Sequence, residues 1–66
     1  MDGVKIENKC LVIEDRYFRK KTINPNDIET IQKSGMFGTC ITFKNGNFDI
    51  FLCFPEEVEE AIRRLL

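Results

Sequence analysis

A chain of 66 residues with 42% hydrophobic and 32% charged residues is one domain at most, and its six Phe exclude disorder as the default. Folding at this size hides only about 60% of the surface of the unfolded chain, so a partner or a second copy is a reasonable expectation. Ten basic and eleven acidic residues leave a net charge of −1, which does not point to nucleic acid or membrane through bulk charge.

No apolar run approaches the ~20 residues of a membrane span. The start, Met1-Asp2-Gly3-Val4, lacks the basic-then-apolar pattern of a secretory leader. Cys10, Cys40 and Cys53 are odd in number and lie 30 and 13 positions apart, which does not suit a disulfide framework. Free thiols in a reducing cytoplasm, packed as small hydrophobes, are the expectation. With no His and three scattered Cys, a tetrahedral zinc site is not expected, and no cofactor is implied.

Along the chain, Val4 and Ile6 alternate with Lys5 and Glu7 as a half-buried strand. A two-residue turn at Asn8-Lys9 leads into a second strand at Cys10–Glu14. Pairing across that turn sets Ile6 beside Leu11 and Val4 beside Ile13, with all four on one face. Asp15-Arg16 is a weaker turn, followed by a third strand over Tyr17–Asn24. Asn24-Pro25-Asn26-Asp27 is a strong break, since Pro fixes φ and the Asn and Asp side chains close local hydrogen bonds. Ile28–Gln32 reads either as a strand or as one helical turn, and Ser34–Gly38 as a loop between two glycines.

The stretch 39–54 reads as a hairpin. An Asn45-Gly46 pair tolerates the positive φ values of a type I′ turn. A two-residue loop there pairs Phe43 with Phe48, Ile41 with Ile50 and Thr39 with Leu52 on the core face. Cys40, Phe51 and Cys53 then fall on the outer face, which turns from polar near the turn to apolar near the chain end.

Pro55 opens a helix running to the end of the chain, because a first-turn Pro has no helical hydrogen bond to lose. Glu56, Glu57, Glu59 and Glu60 early and Arg63 and Arg64 late match the helix dipole. Glu59–Arg63 and Glu60–Arg64 are expected ion pairs at i,i+4. Val58, Ala61, Ile62 and Leu65 make one apolar stripe. The fold class expected is α+β: a small antiparallel sheet of five to six short strands, flat or curled, capped by one C-terminal helix, all in a single domain over 1–66.

Three constellations could carry function. The run Arg16-Tyr17-Phe18-Arg19-Lys20-Lys21 interleaves four cations with two aromatics, and Arg16, Tyr17, Arg19, Lys20 and Lys21 are its candidate contacts to single-stranded nucleic acid or anionic lipid. The plainer account is a solvated strand whose cations face nearby carboxylates. Met36 and Phe37 between glycines could form a recognition tip, although a plug for the open end of a small core is preferred. Cys40, Phe51 and Cys53 form an outer apolar patch suited to another chain, unless the first strands fold over and cover them.

Catalysis is not expected. Glu14 and Asp15 are strand neighbours that point to opposite faces, and no Gly-rich phosphate loop or nucleophile with a base is present.

The succession of short strands, the segment Asn26-Asp27-Ile28-Glu29-Thr30-Ile31, the hairpin, and the helix opened by Phe54-Pro55-Glu56-Glu57 resemble the later part of a bacterial pleckstrin-homology-like domain. The resemblance covers residues 10–66 by pattern. Such domains normally carry seven strands, and this chain has room for five or six. It implies a binding scaffold, often oligomeric, with no catalytic residues to transfer.

The expected function is therefore a non-enzymatic cytoplasmic protein that works by protein–protein contact. Its expected partners are a second copy of itself, as a homodimer or larger, and an unidentified protein. A rival reading is a polyanion binder using the 16–21 segment. A third, resting on chain size alone, is a phage or mobile-element inhibitor that occludes a host protein.

Overall fold

A computed structural model describes residues 3–66, and the leader reading at Met1-Asp2 lies outside the described residues. The first hairpin joins β1 (Val4–Glu7) to β2 (Cys10–Glu14). Asn8 and Lys9 take φ of +52° and +63°, the two positive values that a tight two-residue loop needs. The register is Val4 to Ile13 and Ile6 to Leu11, as the alternation predicts. Leu11 and Ile13 are thereby fully buried.

β3 spans only Lys20–Ile23, shorter than the strand expected from Tyr17. The reason is Asp15, whose carboxylate turns inward and organises the preceding loop. Its Oδ1 accepts from the amides of Tyr17 at 2.8 Å and Arg19 at 3.0 Å. The Asp15 amide donates to the Arg19 carbonyl at 2.9 Å, closing a loop over Arg16–Phe18. Phe18 sits at φ +64°, in the left-handed region that a bulky residue seldom occupies.

A single 3-10 turn at Pro25–Asp27, capped by the Asn24 side chain on the Asn26 amide, follows β3. β4 then runs over Ile28–Ser34, so this ambiguous segment is a strand, with a bulge between Ile28 and Thr30. β5 covers Gly38–Phe43 and β6 covers Phe48–Phe51.

The β5–β6 hairpin departs from the expected register by one residue. Gly46 takes φ +91° while Asn45 stays at negative φ. The Phe43 amide donates to the Asn47 carbonyl at 2.8 Å, and the Gly46 amide to the Phe43 carbonyl at 2.9 Å. This is a three-residue loop over Lys44–Gly46 with glycine in the left-handed position, the other hairpin geometry that suits Asn-Gly. Thr39 now faces Phe51, Cys40 faces Ile50, Ile41 faces Asp49, and Thr42 faces Phe48. A one-residue slip turns over every side chain of one strand. β5 keeps the faces expected for it, and β6 exchanges them.

The six strands form two three-stranded antiparallel sheets rather than one, β1-β2-β3 and β4-β5-β6. They meet at a short seam. The Leu52 amide donates to the Glu14 carbonyl at 2.8 Å and the Arg16 amide to the Ile50 carbonyl at 3.1 Å, on either side of an Asp15–Phe51 bridge.

The helix α1 (Pro55–Leu65) carries proline in its first turn as expected. Glu57 secures its start twice: Oε2 accepts from the Phe54 amide at 2.9 Å and Oε1 from the Gly3 amide at 3.0 Å. Helix and first strand are thus held by one carboxylate. Val58 and Ala61 are buried, with Ile62 and Leu65 packed at the margin of a core made by Leu11, Ile13, Ile23, Ile41, Phe51 and Cys53. At the other end Glu60 takes both arginines, Arg63 at 2.7 Å and Arg64 at 3.7 Å. Arg63 is drawn to i−3 instead of to Glu59 at i−4. These exposed pairs contribute little, on the order of 0.5 kcal/mol each.

Candidate interaction surface

Where the sheets meet, four charged side chains gather, Asp15, Arg19, Lys21 and Asp49. Asp15 is fully buried. Its Oδ2 lies 3.3 Å from the Lys21 ammonium and 3.5 Å from Arg19 Nε, without a hydrogen bond of good geometry. Lys21 also pairs closely with Asp49, which the observed β6 register turns toward it. Asp49 Oδ1 accepts from the Ile50 amide at 2.8 Å.

Burial pushes the Asp15 carboxyl up, but the amides of Arg19 and Tyr17 and the Lys21 ammonium outweigh it, leaving it below its ordinary value. Asp49 is lowered in the same way: burial opposes, and the Lys21 bond and the Ile50 amide prevail. The Lys21 ammonium is raised, first by its bond to Asp49 and against some burial, with Asp15 adding to the effect. One cation is therefore held between two carboxylates. Lys21 is removed from the basic segment and becomes a joint of the fold.

The rest of that segment is exposed, although Arg19 also leans on the buried Asp15. Arg16 and Arg19 place their guanidinium carbons 5.2 and 5.3 Å from the centre of the Tyr17 ring, within cation–π range. Lys20 is exposed, and Phe18, the second aromatic of the run, is 74% exposed. Arg16, Tyr17, Arg19 and Lys20 thus share one loop and strand start, and Lys21 points elsewhere.

The outer apolar patch expected from Cys40, Phe51 and Cys53 is corrected. Phe51 is 1% exposed and Cys53 is buried, both inside the core. Burial pushes the Cys53 thiol up, against a hydrogen bond with Thr39. The Thr39 hydroxyl itself donates to the Cys53 carbonyl at 2.6 Å. Only Cys40 stays on the outer face, half-buried.

In place of Phe51 and Cys53 the slipped register puts Phe48, Ile50 and Leu52 outside, opposite Thr42 and Cys40. Phe48 is 66% exposed and Leu52 37%, and Ile50 between them in the chain is half-buried. Beyond the seam, Leu52 lines a shallow groove with Val12, Glu14, Lys5 and Lys20. The apolar row therefore leads from one sheet toward the other. The signal that could have found it is that Asn-Gly serves three-residue loops as well as two-residue ones.

Met36 and Phe37 do not plug the core. They are 76% and 69% exposed, on a turn where Gly35 takes φ +66°. Phe37 meets Phe54 edge to face, with ring centres 6.4 Å apart. The Lys33 ammonium lies 5.4 Å from the Phe54 ring centre and donates to the Met36 carbonyl at 3.2 Å. The tip is thus braced at its base and bare at its end.

Among the described residues no helix is long and apolar enough to cross a membrane. No family model, no curated protein and no solved structure matches this chain.

Proposed function

We propose that this chain is a non-catalytic binding protein of the reducing cytoplasm, on a pleckstrin-homology-like plan, that acts by protein–protein contact and self-associates. The observation that carries the contact reading is the outer row of β6. Phe48 stands two-thirds exposed in line with Ile50 and Leu52, beside Cys40. A row of large apolar side chains on the outside of a sheet costs solubility and is suited to cover by another chain. Two sheets with a closing helix, and three free cysteines, are in keeping with the scaffold and compartment proposed.

The test is a photo-crosslinking analogue placed at Phe48, with a control at the exposed helix position Glu59. Adducts of defined mass at Phe48, lost on Leu52→Asp and missing from the control, are expected. Equal labelling at both positions would remove the reading.

One observation favours a second reading, polyanion contact: Arg16 and Arg19 flank an exposed Tyr17, and Lys20, next in the chain, is exposed. Neutralising those three, and leaving Lys21 in its internal pair, tests it. Binding to single-stranded oligonucleotide or acidic vesicles should vanish in the variant and fall steeply with salt in the parent chain.

A further inference from the structure

We infer that the free edge of β4 pairs with the β4 of a second copy, antiparallel about Ile31, so that one sheet runs across a two-fold dimer. The inference rests on the self-association proposed above and names the surface that performs it.

The phase of the hydrogen-bond ladder comes first. In an antiparallel sheet successive residues turn their N–H and C=O alternately to the two sides. The Phe43 bond to Asn47 shows that Phe43, and with it Ile41 and Thr39, face β6. Cys40 and Thr42 therefore face β4, opposite Gln32 and Thr30. The Lys44 amide, which donates to the Asp27 carbonyl at 2.9 Å, follows the same phase. On β4 the amides and carbonyls of Ile31 and Lys33, and the carbonyl of Glu29, consequently point away from the sheet. No backbone bond outside the strand ladders is made by these three residues.

The side chains then select the occupant. With Ile31 opposite Ile31 of the second copy, Thr30 meets Gln32, and Glu29 meets Lys33 at both ends. Opposite charges facing across a strand pair are favourable, and like charges are not. The backbone phase agrees with this register. The two Ile31 residues exchange N–H and C=O, and each Lys33 amide meets the Glu29 carbonyl of the other copy. Ile31 packs inward onto the core, whereas Glu29, Thr30, Gln32 and Lys33 are exposed. The contact asks that Lys33 exchange its exposed bond to the Met36 carbonyl and its place over the Phe54 ring.

No other edge fits as well. β3, Lys20–Ile23, carries two lysines and no acid to answer either in any self-paired register. β1 paired about Ile6 would also set Lys5 against Glu7, but it has only four residues and shares a groove with Glu57, Glu60 and Arg64 of α1. The open edge of β6 is occupied at the seam by Glu14 and Arg16. β4 is also the longest strand, at seven residues. Bulges and lysines ordinarily protect an edge from pairing. Here the bulge between Ile28 and Thr30 ends the straight stretch at Glu29, and the lysine has its complement in the same strand. Together they leave one register.

The experiment is sedimentation equilibrium on the full chain in reducing buffer, so that the three thiols form no disulfide dimers, with circular dichroism melts to confirm folding. The parent chain is expected to dimerise. Glu29→Lys and Lys33→Glu alone should each weaken the dimer at least about tenfold, since each replaces attraction by repulsion at both ends. The double swap should return it to the parental affinity, which a merely structural effect of either change would not do. A dimer indifferent to the single changes, or not restored by the double, overturns the β4 assignment and leaves self-association standing. A parent chain that is monomeric at millimolar concentration overturns both.

Discussion

Phe51→Ala and Phe48→Ala form a pair that reads the register of the last hairpin from stability alone. The Phe51 side chain is 1% exposed and packs in the core with Ile41, Cys53 and Val58. Truncating a buried Phe costs about 3–5 kcal/mol through lost transfer energy and the cavity left behind. A chain of 66 residues has on the order of 3–10 kcal/mol in all, at roughly 0.05–0.15 kcal/mol per residue. Phe51→Ala should therefore leave a large fraction of molecules unfolded at room temperature.

Phe48, two-thirds exposed, faces only Thr42 across the strand pair. Its loss should stay below about 1 kcal/mol, the range of a cross-strand contact. Urea melts followed by far-ultraviolet circular dichroism measure both, with the slope of the transition as a check that the unfolded states are comparable. The alternative register, with Phe48, Ile50 and Leu52 inside, demands the opposite order. A Phe48→Ala variant less stable than Phe51→Ala would refute the three-residue loop and the surface built on it.

The charged joint makes stability depend on pH at both extremes. Asp15 and Asp49 lie below their ordinary 3.8 in the folded chain, so their contribution is present above that value and is lost as pH falls through the folded values. Lys21 lies above its ordinary 10.5, so its contribution is present below that value and is lost as pH rises beyond it. Urea midpoints should be level between about pH 5 and 8 and fall on either side, with the raised Cys53 thiol adding to the alkaline limb above its ordinary 9.0, and Asp15→Asn should flatten the acid limb; an unchanged acid limb in that variant would contradict the account. Gly38→Ala should destabilise by about 1–3 kcal/mol, because the added Cβ would meet the Ser34 carbonyl oxygen at 2.6 Å. A thermal midpoint equal to that of the parent chain would show that the turn yields.

Local chemistry determined what could be read directly. The Asn8-Lys9 turn and the alternation beside it settle the β1–β2 register, since every residue that decides it lies within a few positions of the turn. The helix from Pro55 is equally local, with its proline, its early acids and its apolar stripe all inside the element. Only tertiary structure decided the register of β6. Asn-Gly suits two loop lengths whose local energies are similar, and the apolar count on β6 alone favours burying Phe48, Ile50 and Leu52. The choice falls with the seam at Asp15–Phe51, formed by residues 36 positions apart in sequence, and with the Lys21–Asp49 pair that the chosen register permits. The split into two sheets and the burial of Asp15 have the same origin. The groups that receive the Asp15 carboxylate are local, the amides of Tyr17 and Arg19 and the Lys21 ammonium. The strand that buries it, however, is bridged through Phe51, with Asp49 holding Lys21, and no window of sequence around Asp15 contains either.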